Sequence, residues 1–598
     1  MAPLKKKKRK TSSKNPKNQA EQVDFKTKIA QKRQAREARK NLLGAIFSSI
    51  FCLIVFGIPL MLTVGVKEGI MVGIGIPILF LSYKYPRQAL WVFLIYIPFG
   101  GTITYSIGGG SVVLQLVKDV FYIPALIKII QERSRKRLPI LIPKKIKPTL
   151  TILLICCFLT LMTVNTLQQF LPVCDETNPV LIQSPLTGEL IKAPCRKGLT
   201  FLQGLFGLKV LLGYFPLALC AYYLIEDKKK LFFLGRLLVV LTIICCLLGL
   251  VQYWMLKSGR CLGTRNESGV QLYKASLEAR CFIGGSLLYS PEFGQIRLPG
   301  TFVSPWHWGW FLVAHAAISY TVTFSEMINS FRENLQKTSL FWGIAGLISM
   351  ILVLINAIIC GQRLAFILVP SIYLVLLILS FLLLSTAQGS NLKQLFLKLK
   401  HLIPVLIGVG VFIIIGGVAA LSFFNPDFIQ ERYESFLSRW AASNPLDFMS
   451  EQINLVLDNS RIFGKGLGEA TSSARFLGDI YFLETYHAKI IYEIGVVGFF
   501  AFMGFLTHLL MLTFKAYRSV RNPGIASYGA SFWVFMVIIT YLPYWYPMDT
   551  DPVGVYYWFF AGVILKLPEI DKLELPLPDK ENSQGKKLKF KRKKISWT

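Results

Sequence analysis

The stretch ETYHAKIIYEIGVVGFF (484–500) decides how this chain is read. Four polar side chains, Glu484, Tyr486, His487 and Lys489, are followed at once by an apolar run. A run of roughly 20 such residues is long enough to cross a bilayer as a helix. The polar cluster then sits where the chain meets the membrane. Similar runs recur at roughly 42–64, 69–83, 87–100, 112–130, 149–170, 200–225, 231–256, 303–325, 339–360, 364–386, 402–423, 490–516, 528–546 and 553–567. The expected fold is therefore an all-α polytopic membrane protein with about 14 transmembrane helices, or about 12–14 because the second, third and last runs are short.

Composition agrees. Of 598 residues, 53% are hydrophobic and only 17% are charged, with a mean hydropathy of +0.50. Soluble chains carry about 25% charged residues. The net charge of +33 is gathered in tails and loops, the pattern of basic cytoplasmic segments rather than of a nucleic-acid binder. The tail up to Lys40 holds 15 Lys and Arg, and GKKLKFKRKK near the C-terminus is similar. We expect residues 1–41 and 568–598 to be basic cytoplasmic tails, the first disordered, close to anionic membrane lipid. Residues 42–567 form the membrane body. No signal peptide is expected, because the basic region is long and no small-residue cleavage site follows the first run.

Orientation follows from Lys and Arg. QERSRKRLPILIPKKIK (131–147) has seven basic residues and one acid, which places it in the cytoplasm. EDKKK (226–230), the 393–400 loop and AYRSVR (516–521) fall on the same side. Three longer loops are left outside: 171–199, 257–302 and 424–489. The first holds Cys174 and Cys195, the second Cys261 and Cys281. The outer space is oxidising, so disulfides are expected; four cysteines allow three pairings, of which closure within each loop is simplest. In the third loop FIQERYESFLSRW and LDFMSEQINLVLDN carry apolar residues at helical spacing, and GKGLGEATSS (464–473) reads as a flexible turn.

The same topology collects unusual polar residues at the outer face: His487, Arg363, Arg297, Lys209, Lys118 and Asp119. Charge inside a bilayer costs about 2.5–3.5 kcal/mol per residue at the centre, so it wants a reason. Helix pairing is one. Another is a membrane-anchored anion such as a lipid diphosphate, since arginine forks bind phosphate oxygens in pairs. A histidine there can accept a proton from a hydroxyl. Asp549 and Asp551 form a D-x-D that reads as a polar turn or, less readily, as a divalent-ion site. His315 and His508 read as packing histidines. Zinc spacings, Walker loops and Rossmann fingerprints are absent from the sequence.

RLPGTFVSPWHWGWFL (297–312) resembles the R-x-x-G-T-F segment of the O-antigen ligase and polymerase superfamily. GQRLAF (361–366) resembles that family's helix-initiating arginine. SRW (438–440), GKGLG (464–468) and YHAKIIYEIGVVGFF (486–500) resemble its large periplasmic loop and following helix. The resemblance spans roughly 200–520, and it rests on motif order. The basic N-terminal tail is similar to that of hormogonium-polysaccharide-type exopolysaccharide members. The resemblance implies a GT-C-like fold in the inner (plasma) membrane and metal-independent transfer, without cofactor, of a glycan from an undecaprenyl diphosphate carrier to a glycan or glycolipid hydroxyl. It implies Arg297 and Arg363 on the diphosphate, with Lys209 at a basic position of the corresponding helix. His487 would be the base or acceptor-orienting group, with Lys118, Asp119, Arg439 and Tyr486 in support. Two departures stand out. His487-Ala488 replaces the family's His-Asn, and Ser304-Pro305-Trp306 replaces His-Pro-Asn.

Two classes of function follow. One is an extracytoplasmic glycosyltransferase, ligase or polymerase of polysaccharide biosynthesis. The other is a transporter of a glycolipid or of a small anion such as bicarbonate. A transporter needs polar sites near the midplane and a path to both faces, whereas the inner halves of most runs here are apolar.

Overall fold

A computed structural model describes residues 43–63, 65–110, 113–137, 146–174, 181–183, 190–192, 195–268, 277–290, 295–332, 337–385, 444–459, 462–542, 548–549 and 551–574, with a few isolated positions besides. Arg439, most of 424–443, the 402–423 run and the tails beyond these bounds lie outside the described residues. The chain divides into two units, residues 1–84 and 85–598.

The first unit is a helical hairpin of α1 (Leu43–Thr63) and α2 (Val66–Lys84). Glycines let the two approach: a Cβ on Gly69 would lie 2.2 Å from Met61 Cγ. The second unit contains α3 (Pro86–Tyr96), α4 (Val113–Arg135), α5 (Lys147–Thr160), α6 (Thr200–Leu212), α7 (Pro216–Leu224) and α8 (Lys228–Lys257). It continues with α9 (Pro305–Arg332), α10 (Lys337–Ile359), α11 (Arg363–Ser385), the short amphipathic α12 (Pro445–Asn459), α13 (Tyr486–Arg518), α14 (Pro523–Tyr541) and α15 (Val553–Glu574). Two antiparallel strand pairs decorate the loops: β1 (Leu181–Gln183) with β2 (Leu190–Lys192), and β3 (Leu288–Ser290) with β4 (Gln295–Arg297).

Among the described residues, 11 helices are long and apolar enough to span a membrane. Of the other expected runs, 402–423 lies outside those residues. The 69–83 run yields only the shorter apolar helix Val72–Lys84. The 112–130 run is α4, which carries Lys118, Asp119 and Lys128. The protein is thus a mostly helical, multi-pass membrane protein. Helices α9, α14 and α15 form its centre, with 83%, 78% and 78% of their apolar windows buried. They carry buried polar side chains, among them His315, Ser319, Glu326 and Ser531, which protein rather than lipid surrounds.

The basic segments gather at one end of the bundle. Arg133 stacks on the Tyr223 ring at 4.4 Å. Lys228 approaches Glu574 at 3.8 Å, and Asp571 accepts the Arg521 and Asn522 amides at 3.0 Å each. Both disulfides close within their loops, Cys174 with Cys195 and Cys261 with Cys281. Ser472 is exposed on the loop that precedes α13. A cysteine placed there should react with an impermeant maleimide on intact cells; protection until permeabilisation would reverse the orientation.

Candidate functional site

At the opposite end the structure brings together the starts of α4, α9, α11, α13 and α15 and the end of α3. The segment 297–303 is clamped between them. Gln252 of α8 holds two stretches of the 257–302 loop at once: its Nε2 donates to the carbonyls of Cys281 (3.1 Å) and Ile283 (2.9 Å), and its Oε1 accepts the Gly300 amide at 3.1 Å. Leu298 N donates to Cys360 O at 3.1 Å, and Thr102 N to Thr301 O at 3.0 Å. Contact on that side is so close that a Cβ on Gly101 would fall 2.0 Å from the Phe302 carbonyl carbon. Arg297 and Arg363 thereby flank one short connection, the Leu298–Cys360 bond.

The lysines are all met by carboxylates from elsewhere in the chain. Lys118 pairs with Asp551, not with its neighbour Asp119. Asp119 instead pairs with Lys209 at 2.6 Å. Asp551 also accepts the Tyr214 hydroxyl at 2.6 Å. Burial pushes the Asp551 carboxyl up, but Lys118, the Tyr214 hydrogen bond and His307 together hold it below the ordinary carboxylate range. Lys489 pairs with Asp549, the two side chains being 2% and 11% exposed. The D-x-D therefore serves two lysines, one aspartate each. Among the described residues no three of His, Cys, Asp and Glu gather as metal ligands.

His487 stands apart from these pairs. Its ring packs edge-on to Phe499 at 5.3 Å, beside the Thr540 backbone. Two residues along a helix turn the side chain by about 200°, so His487 and Lys489 face opposite ways. Tyr486 is buried against Phe502 at 5.9 Å. Glu484 is the link to the arginine segment. Burial raises its pKa and the Arg297 charge lowers it, with the rise prevailing.

GKGLG is not the flexible turn that its glycines suggest. Gly464, Gly466, Leu467 and Gly468 are buried, and the loop is wedged against a break in α13. There Gly495 has φ 74°, and a Cβ on it would lie 2.0 Å from Ile462 O. Asn165 fixes the loop from α5's side: Leu467 N donates to its Oδ1 at 2.9 Å and its Nδ2 donates to Leu467 O at 3.0 Å. Gln168 Nε2 reaches Lys465 O at 3.0 Å. Glu493, one turn along from Lys489, accepts Ala470 N (3.1 Å) and Thr471 Oγ1 (2.8 Å). Glu469 on the same loop is pushed up to about 7 by burial, then by Glu493 and Asp479, against Lys465.

Near the Lys118–Asp551 pair lies a cavity of about 60 Å³, lined among others by Tyr96, Thr104, Lys118, Phe302, His307 and Asp551. His307 Nδ1 is 2.7 Å from Ser304 Oγ. Sequence reading passed over His307, although Ser304-Pro305 is a helix-start signal that puts it on the first turn at this end. Tyr214, Gln252, Asn165 and Glu493 carried no such signal. His315 and His508 bond within the bundle, to Tyr556 at 3.0 Å and to Thr149 at 3.1 Å.

The fold and this end of it define a polytopic helical membrane protein with a buried, charge-paired polar face. No protein-family model matches the sequence, and no curated protein matches it.

Proposed function

We propose that this protein is a membrane glycosyltransferase that passes a glycan from a lipid diphosphate carrier to a hydroxyl acceptor in polysaccharide biosynthesis. The single observation that carries the reading is the clamped 297–303 segment. It ties the strand end at Arg297 to the turn that precedes Arg363 through the Leu298–Cys360 bond, and its Phe302 and Val303 line a cavity with a histidine. Two arginines on chain segments tied together in this way would suit a diphosphate. The basic segments at the opposite end argue, by the positive-inside rule, that this face is extracytoplasmic. The motif order of the O-antigen ligase and polymerase superfamily points the same way.

One observation favours a second reading, transport of a glycolipid or small anion. Helix α13 is broken at Gly495 near the buried Lys489 and Glu493, and broken helices with buried charge are common at transport sites. Deleting the protein separates the two. Transfer predicts that lipid-linked glycan accumulates, as long chains for a ligase and as single repeat units for a polymerase. Unchanged carrier pools would favour transport.

A further inference from the structure

We propose that the cavity beside Lys118 and Asp551 receives the acceptor hydroxyl, and that His307 takes its proton. This rests on the glycosyl-transfer reading and assigns it a proton acceptor and an acceptor class.

The cavity's charge decides the class. Of the lining residues, Lys118 is matched by Asp551: one cation and one carboxylate, hence no net charge. A phosphate would meet as much repulsion as attraction there. A hydroxyl both donates and accepts, and the wall includes the carboxylate of Asp551 and the ammonium of Lys118. Asp551 stays ionised at neutral pH because its pKa is held low. At about 60 Å³ the space admits a few heavy atoms, one hydroxyl-bearing carbon and its neighbours rather than a whole oligosaccharide. Phe302 and Val303 offer an apolar wall to the carbon side.

His307 is placed for the proton. With its Nδ1–H donating to Ser304 Oγ, 2.7 Å away, Nε2 keeps its lone pair. Asp551 and Lys118 are the charged groups acting on this ring, with opposite effects. In the step itself the acceptor oxygen forms a bond to the anomeric carbon. The bond from that carbon to the diphosphate oxygen breaks, and its electron pair leaves on the diphosphate. The acceptor's proton moves to His307 and thence to the departing diphosphate or water. Nothing is oxidised or reduced. Ser304 is a positioning residue, acting through the ring.

The test uses purified full-length protein with the undecaprenyl diphosphate glycan that accumulates in cells lacking it. His307→Gln should lower kcat at least about 10²-fold, the floor for general-base catalysis. Donor KM should hold, and the rise of rate with pH should vanish. Ser304→Ala should lower kcat less and shift that rise. If His307→Gln fails to fold, Ser304→Ala carries the test through the same shift. An unchanged kcat and pH profile in a folded His307→Gln overturns the proposal, as does an unmoved profile in Ser304→Ala. Loss of the pH rise in His487→Ala but not in His307→Gln overturns it too, and assigns the base to α13. No transfer by the wild type would instead defeat the underlying glycosyl-transfer reading.

Discussion

Arg363→Ala should lose roughly 10²–10³-fold in glycan transfer at matched protein level, since removing a donor aimed at developing negative charge costs about that much. Arg363 is the first residue of α11, just past the tight turn at Gly361, whose φ is 73°. A turn followed directly by a helix start holds the guanidinium root firmly. Its place beside the 297–303 segment follows from the Leu298–Cys360 bond. In the proposed transfer the leaving diphosphate gains charge as the glycosidic bond breaks, so a fixed cation there would act mainly on the rate. Arg363→Lys should recover little, because one ammonium cannot make the paired fork. Wild-type output from Arg363→Ala would remove this arginine from the chemistry.

Lys489→Met should lower stability by about 3–5 kcal/mol, the usual cost of stranding one partner of a buried ion pair. Lys489 is 2% exposed and Asp549 11%, and Glu493 is buried close by. Without the ammonium, two carboxylates would share an interior that solvates neither. Glu493 is partly provided for by Ala470 N and Thr471 Oγ1, so most of the damage should fall on Asp549. The double change Lys489→Met with Asp549→Leu should regain much of the loss, because replacing a whole buried pair is often neutral. Thermal unfolding in detergent measures both. A Lys489→Met midpoint equal to the wild type would mean that the pair contributes nothing to the fold.

Most helices were legible because hydropathy and length report directly on lipid. Their ends were less so. Asn522-Pro523 starts α14 before the expected 528, with Asn522 Oδ1 accepting Gly524 N at 3.0 Å, a capping signal that a hydropathy reading skips. Gly495 sits inside the 490–516 run, and the break there packs against Ile462 O and Gly464 N of the loop. The loop looked flexible because positive-φ glycines serve wedged and mobile loops alike. At the candidate site, residue types and their end of the bundle were legible, but partners were not. For Lys118 and Asp119, pairing between helices was one expectation, without named partners. On a helix adjacent residues point about 100° apart, so each found a partner from another element, Asp551 and Lys209. His487 drew notice by its charged neighbours, yet its ring turned to Phe499.

The central claim is glycosyl transfer at the face bearing Arg297, Arg363 and His307. Its most direct measurement puts purified protein into vesicles holding the undecaprenyl diphosphate glycan and its acceptor, and follows both the glycan and the vesicle contents. The account predicts glycan on the acceptor and release of glycan-free carrier, with nothing carried across the bilayer. Intact donor, together with glycolipid or bicarbonate crossing the membrane, would contradict it.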